Sequence, residues 1–120
     1  METVNTKFYD GFEGEPEIHF IYQGQELIEK VIVWEGYFDE IMMTIKPVDG
    51  RWTSLAYNYH LDIGWYEESP WKVKELREAL AQFGTVDKEM IGTEAKQMLE
   101  EICNLFEKAI GKRGEILIEY

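Results

Sequence analysis

Apolar residues recur at helical spacing in the second half of the chain. Val73, Leu76, Leu80 and Phe83 lie three or four residues apart, and Gly84 ends the run. This spacing puts apolar side chains on one face of an amphipathic helix. A second, longer helix is predicted from Thr93, with Gly111 as its natural stop. Its apolar stripe consists of Ala95, Met98, Leu99, Ile102, Leu105, Phe106 and Ala109.

The first of these helices has a candidate start at Ser69 and Pro70. Serine is a favourable N-cap residue and proline a favourable first helical residue. Trp71 is therefore predicted to lie in the first turn of this helix. Residues 85–92, between the two helices, are predicted to hold one further helical turn.

Strand patterns dominate the first half of the chain. Residues 17–22 and 26–34 are rich in β-branched and aromatic side chains, which favours strands. Alternation of apolar and polar residues over 37–46 and 54–65 predicts two further strands. Residues 115–120 predict a short terminal strand. The glycine-containing and acidic segment 1–16 is typical of a loose or edge segment.

The two alternating segments are predicted to pair antiparallel, with residues 37–47 against 51–66. Residues that face each other across an antiparallel pair share one side of the sheet. In the register in which Ile45 faces Leu55, the apolar residues of both strands share one face of the sheet. The same register places Glu40 opposite His60. The polar face of the pair then consists of Glu40, Asn58, His60 and Asp62.

Strands followed by helices indicate an α+β fold. We expect an antiparallel meander of about four strands, followed by two C-terminal helices packed on one face of the sheet. The 120 residues are enough for one globular domain, which we expect to span residues 1–120.

Charge narrows the range of functions. The chain has 12 Lys and Arg residues and 24 Asp and Glu residues, so its formal net charge is −12. Such a field repels nucleic-acid phosphates and anionic membranes, and it speeds encounter with basic proteins. We therefore expect a basic protein partner, no direct nucleic-acid binding and no membrane association. The alternative is that the acidity serves only solubility.

A cytoplasmic location is expected from the same sequence. The N-terminal residues lack a basic region followed by an apolar run, and no segment approaches the length of a transmembrane span. Cys103 is the single cysteine, so no intrachain disulfide can form. Its place in the helical pattern predicts a small buried side chain.

Candidate catalytic chemistry is sparse. His60 beside Asp62 is a pairing that general acid–base catalysis uses, but alternating polar residues are also the ordinary pattern of a solvated sheet face. His19 and His60 lack the close spacing of a metal site. We expect no catalytic residue, no metal and no cofactor.

The segment GWYEESPW at residues 64–71 combines aromatic and acidic side chains. Large aromatic residues are enriched at interface hot spots, and carboxylates attract basic partners. The candidate partner-binding residues are Asp62, Trp65, Tyr66, Glu67, Glu68 and Trp71.

Three functions are consistent with these patterns. The leading hypothesis is a small acidic, non-enzymatic protein-binding domain, most plausibly an inhibitor or immunity-type protein that neutralises a basic toxin or nuclease. The second is a small-molecule-binding or enzymatic domain, with the aromatic side of residues 55–65 lining a cavity between sheet and helices. The third is a phage-type inhibitor that mimics nucleic-acid charge. The positions of the aromatic and acidic side chains discriminate among them.

Overall fold

The computed structural model describes residues 2–46 and 71–119. Within them the chain forms four strands of five or seven residues, one strand of two residues, three α-helices and one 3₁₀ turn. The strands are β1 (Glu2–Phe8), β2 (Glu17–Gln23), β3 (Ile28–Trp34), β4 (Trp71–Lys72) and β5 (Glu115–Glu119). The helices are α1 (Glu35–Met42), α2 (Leu76–Phe83) and α3 (Thr93–Lys112), and the 3₁₀ turn is Lys88–Met90.

All five strands form one sheet in the order β1-β3-β2-β5-β4. β2 pairs antiparallel with both β3 and β5, and β4 pairs antiparallel with β5. β1 instead pairs parallel with β3 at the sheet edge. The fold is therefore α+β, as the sequence predicts, but the sheet is mixed. The predicted antiparallel meander describes only its β2–β3 part.

The sheet and the helices share one hydrophobic core. Every second residue of the central strands points into it, including Phe20 on β2 and Val31 and Val33 on β3, each at most 5% exposed. All seven residues of the predicted α3 stripe are buried, so that prediction is confirmed. An ion pair also joins α3 to β3, because Lys108 Nζ donates to both carboxylate oxygens of Glu29 at 2.7 Å.

The strand predicted over residues 37–46 is wrong. Residues 35–42 form helix α1, and they bury Phe38, Ile41 and Met42. Successive buried residues are three and then one position apart, which is typical of one face of a helix. A short segment rich in apolar residues can fit both the helical period and the strand period. The predicted antiparallel pairing with residues 51–66 is therefore wrong over 37–42, and residues 51–66 themselves lie outside the described ranges.

The predicted helix start near Ser69 is also wrong. Trp71 lies in β4, where it pairs with Ile118, and the next backbone bond runs from Val73 N to Ile116 O at 2.9 Å. Pairing with β5 satisfies backbone groups that a helix start leaves without partners. Helix α2 begins at Leu76 and ends before Gly84, the predicted stop.

The remaining elements follow the predictions closely. β2, β3 and β5 lie where strands are predicted, and Lys88–Met90 is the predicted short turn between α2 and α3. Residues 2–8 form an edge strand, one of the two forms expected for the first segment. Helix α3 runs past Gly111 to Lys112. No helix among the described residues has the length and apolar character that a membrane span requires.

Candidate functional site

Three aromatic rings meet where β3 passes directly into α1. The Phe12 and Trp34 rings stack with their centroids 4.2 Å apart and their planes 5° from parallel. The Tyr37 ring meets both of them edge-on, at 5.1 Å from Trp34 and 5.4 Å from Phe12. All three side chains are half-buried. The cluster therefore presents aromatic surface to solvent while its rings hold one another in place.

Two glycines bring Phe12 to this position. Gly11 and Gly14 have φ angles of 95° and 93°. Residues that carry a Cβ atom rarely adopt such positive φ angles. The segment is fixed further by a hydrogen bond of 2.6 Å, in which the Tyr9 hydroxyl donates to the Glu15 carbonyl. These turns fold the β1–β2 connection back over the end of β3.

A third glycine makes room for the indole of Trp34. A Cβ atom on Gly36 would lie 2.4 Å from Trp34 Cη2. The indole therefore occupies the space that a side chain at position 36 would fill. At the same junction, the Glu35 backbone N–H donates to the Pro16 carbonyl at 3.1 Å, which ties the start of α1 to the start of β2.

Several carboxylates lie near the aromatic cluster. Burial raises the pKa of Glu35, and the Asp39 carboxylate one helical turn away raises it further. Burial also raises the pKa of Tyr37, with added contributions from Glu94 and Glu40. Glu94 and Glu40 therefore lie close enough to act on the Tyr37 hydroxyl, and Glu35 and Asp39 lie close enough to act on each other. We call Phe12, Trp34, Tyr37, Glu35, Asp39, Glu40 and Glu94 the acidic–aromatic surface.

Glu40 joins this surface to helix α3. Its Oε1 accepts a hydrogen bond of 2.9 Å from the Gly92 backbone N–H, at the N-terminus of α3. Glu94, in the first turn of the same helix, is exposed. Glu40 therefore lies on a helix, and its predicted position opposite His60 on a sheet is wrong.

The other predicted site residues divide into two groups. Trp71 lies in β4, where its backbone pairs with β5. The rest fall outside the described ranges and remain predictions: Asn58, His60, Asp62, Trp65, Tyr66, Glu67 and Glu68. The predicted combination of aromatic and acidic side chains does occur in the described part of the chain, but at residues 12 and 34–40.

Sequence reasoning missed this site because it assigned residues 37–46 to a strand. As a helix, residues 35–42 put Glu35 and Asp39 four residues apart on one face. The spacing of Trp34 and Tyr37 is a second signal, since residues three apart on a helix are neighbours. Nothing in the sequence pattern indicates the stack with Phe12, which depends on a turn in the β1–β2 connection.

His19 lies on β2 between two carboxylates. Its Nε2 is 2.9 Å from Glu17 Oε1, and its Nδ1 is 3.4 Å from Glu119 Oε1. The side chain is only 18% exposed, as expected for a partly buried histidine. Within residues 2–46 and 71–119, no group of three His, Cys, Asp or Glu side chains is placed to hold a metal ion.

The core between sheet and helices contains large aromatic side chains. Phe20, Phe38, Phe83 and Phe106 are the largest of its fully buried side chains. The aromatic cavity expected in the second hypothesis depends on residues 55–65, which lie outside the described ranges. Comparison of the chain with protein-family models, curated proteins and solved structures finds no match.

Proposed function

We propose that this chain is a non-enzymatic binding domain that covers a basic site on another protein with its acidic–aromatic surface. The supporting observation is that acidic side chains lie next to three half-buried aromatic side chains that contact one another. Such a surface suits an inhibitor or immunity protein that neutralises a basic toxin or nuclease. It must attract a cationic active site and then exclude water from it.

The chemistry of the surface suits arginine and lysine side chains of the partner. Carboxylates form charge-assisted hydrogen bonds with these cations. The faces of Trp and Tyr rings attract the same cations. Because Phe12, Trp34 and Tyr37 already contact one another, few rotamers remain to be fixed on binding, and pre-ordered side chains lower the entropic cost of association.

The raised pKa of Glu35 also fits a partner-binding role. Burial and Asp39 both disfavour its charged form in the free protein. A cation placed between Glu35 and Asp39 would relieve their repulsion and favour the charged forms. Binding to a basic partner should therefore release protons near the pH at which Glu35 titrates, and it should weaken as the pH falls through that range.

The proposal is tested by capturing the partner from the source cells with the immobilised wild-type chain and measuring binding with purified components. We expect a basic partner. Glu35→Lys and Trp34→Ala should each weaken its binding at least about tenfold, as expected for desolvated hot-spot positions. Glu107→Lys is the matched control, since it makes the same change in net charge on an exposed part of α3.

The outcomes separate the remaining hypotheses. Equal weakening by Glu35→Lys and Glu107→Lys would show that net charge alone acts, and the acidic–aromatic surface would lose its role. Displacement of the chain by short duplex DNA would identify the partner's nucleic-acid site as the target, as the nucleic-acid-mimic hypothesis expects. An acidic partner would contradict both hypotheses.

A further inference from the structure

Basic side chains meet at the end of α3 that lies opposite Glu94. The connection after β4 runs beside the turn into β5, where Val73 N donates to Ile116 O at 2.9 Å. This contact brings the start of α2 next to the C-terminus of α3. Between them lies a groove of about 300 Å³. We call it the basic groove, and its lining includes Lys74, Glu75, Arg77, Ile110, Arg113 and Gly114.

The charge of the basic groove is opposite to that of the whole chain. Its lining has three basic residues and one acidic residue, Glu75, whereas the chain has 12 basic and 24 acidic residues. Lys74, Arg77 and Arg113 form no ion pair with any residue in 2–46 or 71–119. Among the described residues, no ion pair therefore offsets their positive charge.

A second groove of about 400 Å³ continues from the first. It shares Arg113 and Gly114 and adds Lys112 to the basic side chains. The acidic residue in its lining, Glu115, is already paired, because its Oε1 lies 2.9 Å from Lys72 Nζ. The positive region thus extends along both sides of Arg113.

The backbone of Arg113 is a separate sign that its side chain matters. Its φ angle of 55° is the one positive value among the described residues other than glycine. Glycine is the usual residue at this helix-ending position, because a Cβ atom is strained there. A basic residue next to a helix C-terminus complements the helix dipole, but Lys112 already meets that need from a helical position.

We propose that the basic groove binds a phosphate group. The guanidinium groups of Arg77 and Arg113 supply planar pairs of donors that match phosphate oxygens, and Lys74 adds a third positive charge. The phosphate is either inorganic or part of a small organic molecule, which the volume of the groove admits. This site is independent of the proposed function, because it lies at the other end of α3.

The test is a titration of the ¹⁵N-labelled protein with inorganic phosphate and with ribose 5-phosphate, at an ionic strength held constant with sodium chloride. We expect saturable shifts of the backbone amides of Lys74, Arg113 and Gly114. Tighter binding of ribose 5-phosphate would identify an organic phosphate as the ligand class, and equal binding would identify inorganic phosphate.

Two variants and one control make the result specific. Arg113→Gly removes the guanidinium and places the preferred residue at positive φ, so the variant should fold at least as well as the wild type. Arg77→Gln removes the second guanidinium from an exposed helical position. Each should weaken phosphate binding by about tenfold. Lys96→Gln, an equal charge change at an exposed position near the start of α3, should leave binding unchanged.

Three results would overturn the proposal. The first is the absence of saturable shifts, and the second is shifts scattered over all the lysine and arginine residues. The third is binding that Arg113→Gly and Arg77→Gln leave intact, or that Lys96→Gln weakens as strongly.

Discussion

At the residue scale, Gly36 decides where the Trp34 indole lies. Alanine there places a Cβ atom 2.4 Å from Trp34 Cη2, so the indole must leave its stack with Phe12. Alanine also favours the helix by about 1 kcal/mol, which opposes the cost of the displaced ring. We therefore expect Gly36→Ala to change stability by less than about 1 kcal/mol while shifting the Trp34 indole N–H resonance.

Gly111→Ala is the matched control for this prediction. A Cβ atom at position 111 has no atom within 4 Å, and the residue lies in helix α3. The substitution should stabilise the protein by about 1 kcal/mol and leave the Trp34 resonance in place. An unmoved Trp34 resonance in Gly36→Ala would contradict the role assigned to Gly36.

Cys103 shows how burial controls a single reactive group. Burial raises the pKa of its thiol, and Glu107 raises it further, while Lys88 acts in the opposite direction. Because the thiolate is the nucleophile, we expect alkylation by iodoacetamide at about pH 8 to be at least about tenfold slower than in denaturant. Mass spectrometry over time measures both rates, and equal rates would contradict the prediction.

The same shift has a defined effect on stability. The folded protein holds the Cys103 proton to higher pH than the unfolded chain does. Folding stability should therefore decrease as the pH rises above the ordinary thiol pKa of about 8.5. Cys103→Ser should remove this part of the pH dependence, and Glu107→Gln should reduce it.

At the scale of elements, α3 supplies the largest continuous part of the core. Leu99 and Ile102 are 2% and 0% exposed. Changing either to alanine should cost about 2 to 5 kcal/mol of unfolding free energy, because a cavity adds to the lost transfer energy. Denaturant midpoints measure the cost. Glu100→Ala, on the exposed side of α3, should change stability by less than about 0.5 kcal/mol.

A carboxylate from helix α1 caps the N-terminus of helix α3. Gly92 precedes the helix and has no side chain to cap it, and Glu40 Oε1 accepts its backbone N–H at 2.9 Å. Glu40→Ala should therefore cost about 1 kcal/mol, a typical loss for a capping acceptor. Glu40→Gln keeps an acceptor and should lose less. Thermal unfolding that gives Glu40→Ala and the exposed-site control Glu101→Ala equal stability would contradict the capping role.

The hydrophobic pattern predicts an element correctly when it fits only the helical period or only the strand period. The α3 stripe fits only a helix, and the β-branched run of β3 fits a strand, so both were predictable. In α1 the residues Phe38, Ile41 and Met42 have helical spacing, but Tyr37, Asp39 and Ile41 also alternate as in a strand. One interaction that distinguishes the two is the hydrogen bond from Gly92 to Glu40, which spans 52 residues. A local pattern contains no information about it.

The candidate site illustrates the same limit. The acidic residues of α1 and the aromatic residues of the β3–α1 junction are visible in the sequence. Their assembly depends on the positive φ angles of Gly11 and Gly14 and on the space above Gly36. Likewise, the parallel pairing of β1 with β3 arises from contacts between distant segments, which strand propensity does not specify.

At the scale of the whole molecule, α3 separates two regions of opposite charge. Glu94, which belongs to the acidic–aromatic surface, lies in its first turn, and Arg113 lies immediately after its last residue. A helix of 20 residues is about 30 Å long. This charge order also complements the helix dipole, since acidic groups lie at the N-terminus and basic groups at the C-terminus. A basic partner is therefore attracted to one end and repelled from the other, which orients its approach.

Oriented attraction predicts how salt acts on association. Mobile ions screen charges beyond about 8 Å at physiological ionic strength, so they weaken long-range steering more than close contacts. We expect added salt to lower the association rate constant with the captured basic partner and to leave the dissociation rate constant nearly unchanged. Stopped-flow kinetics at low and high sodium chloride measure both constants.

Two variants should separate steering from contact in the same experiment. Glu94→Lys changes an exposed charge of the acidic–aromatic surface, so it should lower the association rate and flatten the salt dependence. Trp34→Ala removes a ring of the proposed contact, so we expect it to raise the dissociation rate, with a loss of about 2 kcal/mol of binding free energy. If neither salt nor either substitution changes the two rate constants, the acidic–aromatic surface has no role in binding, since neither its charge nor its rings would then contribute to the complex.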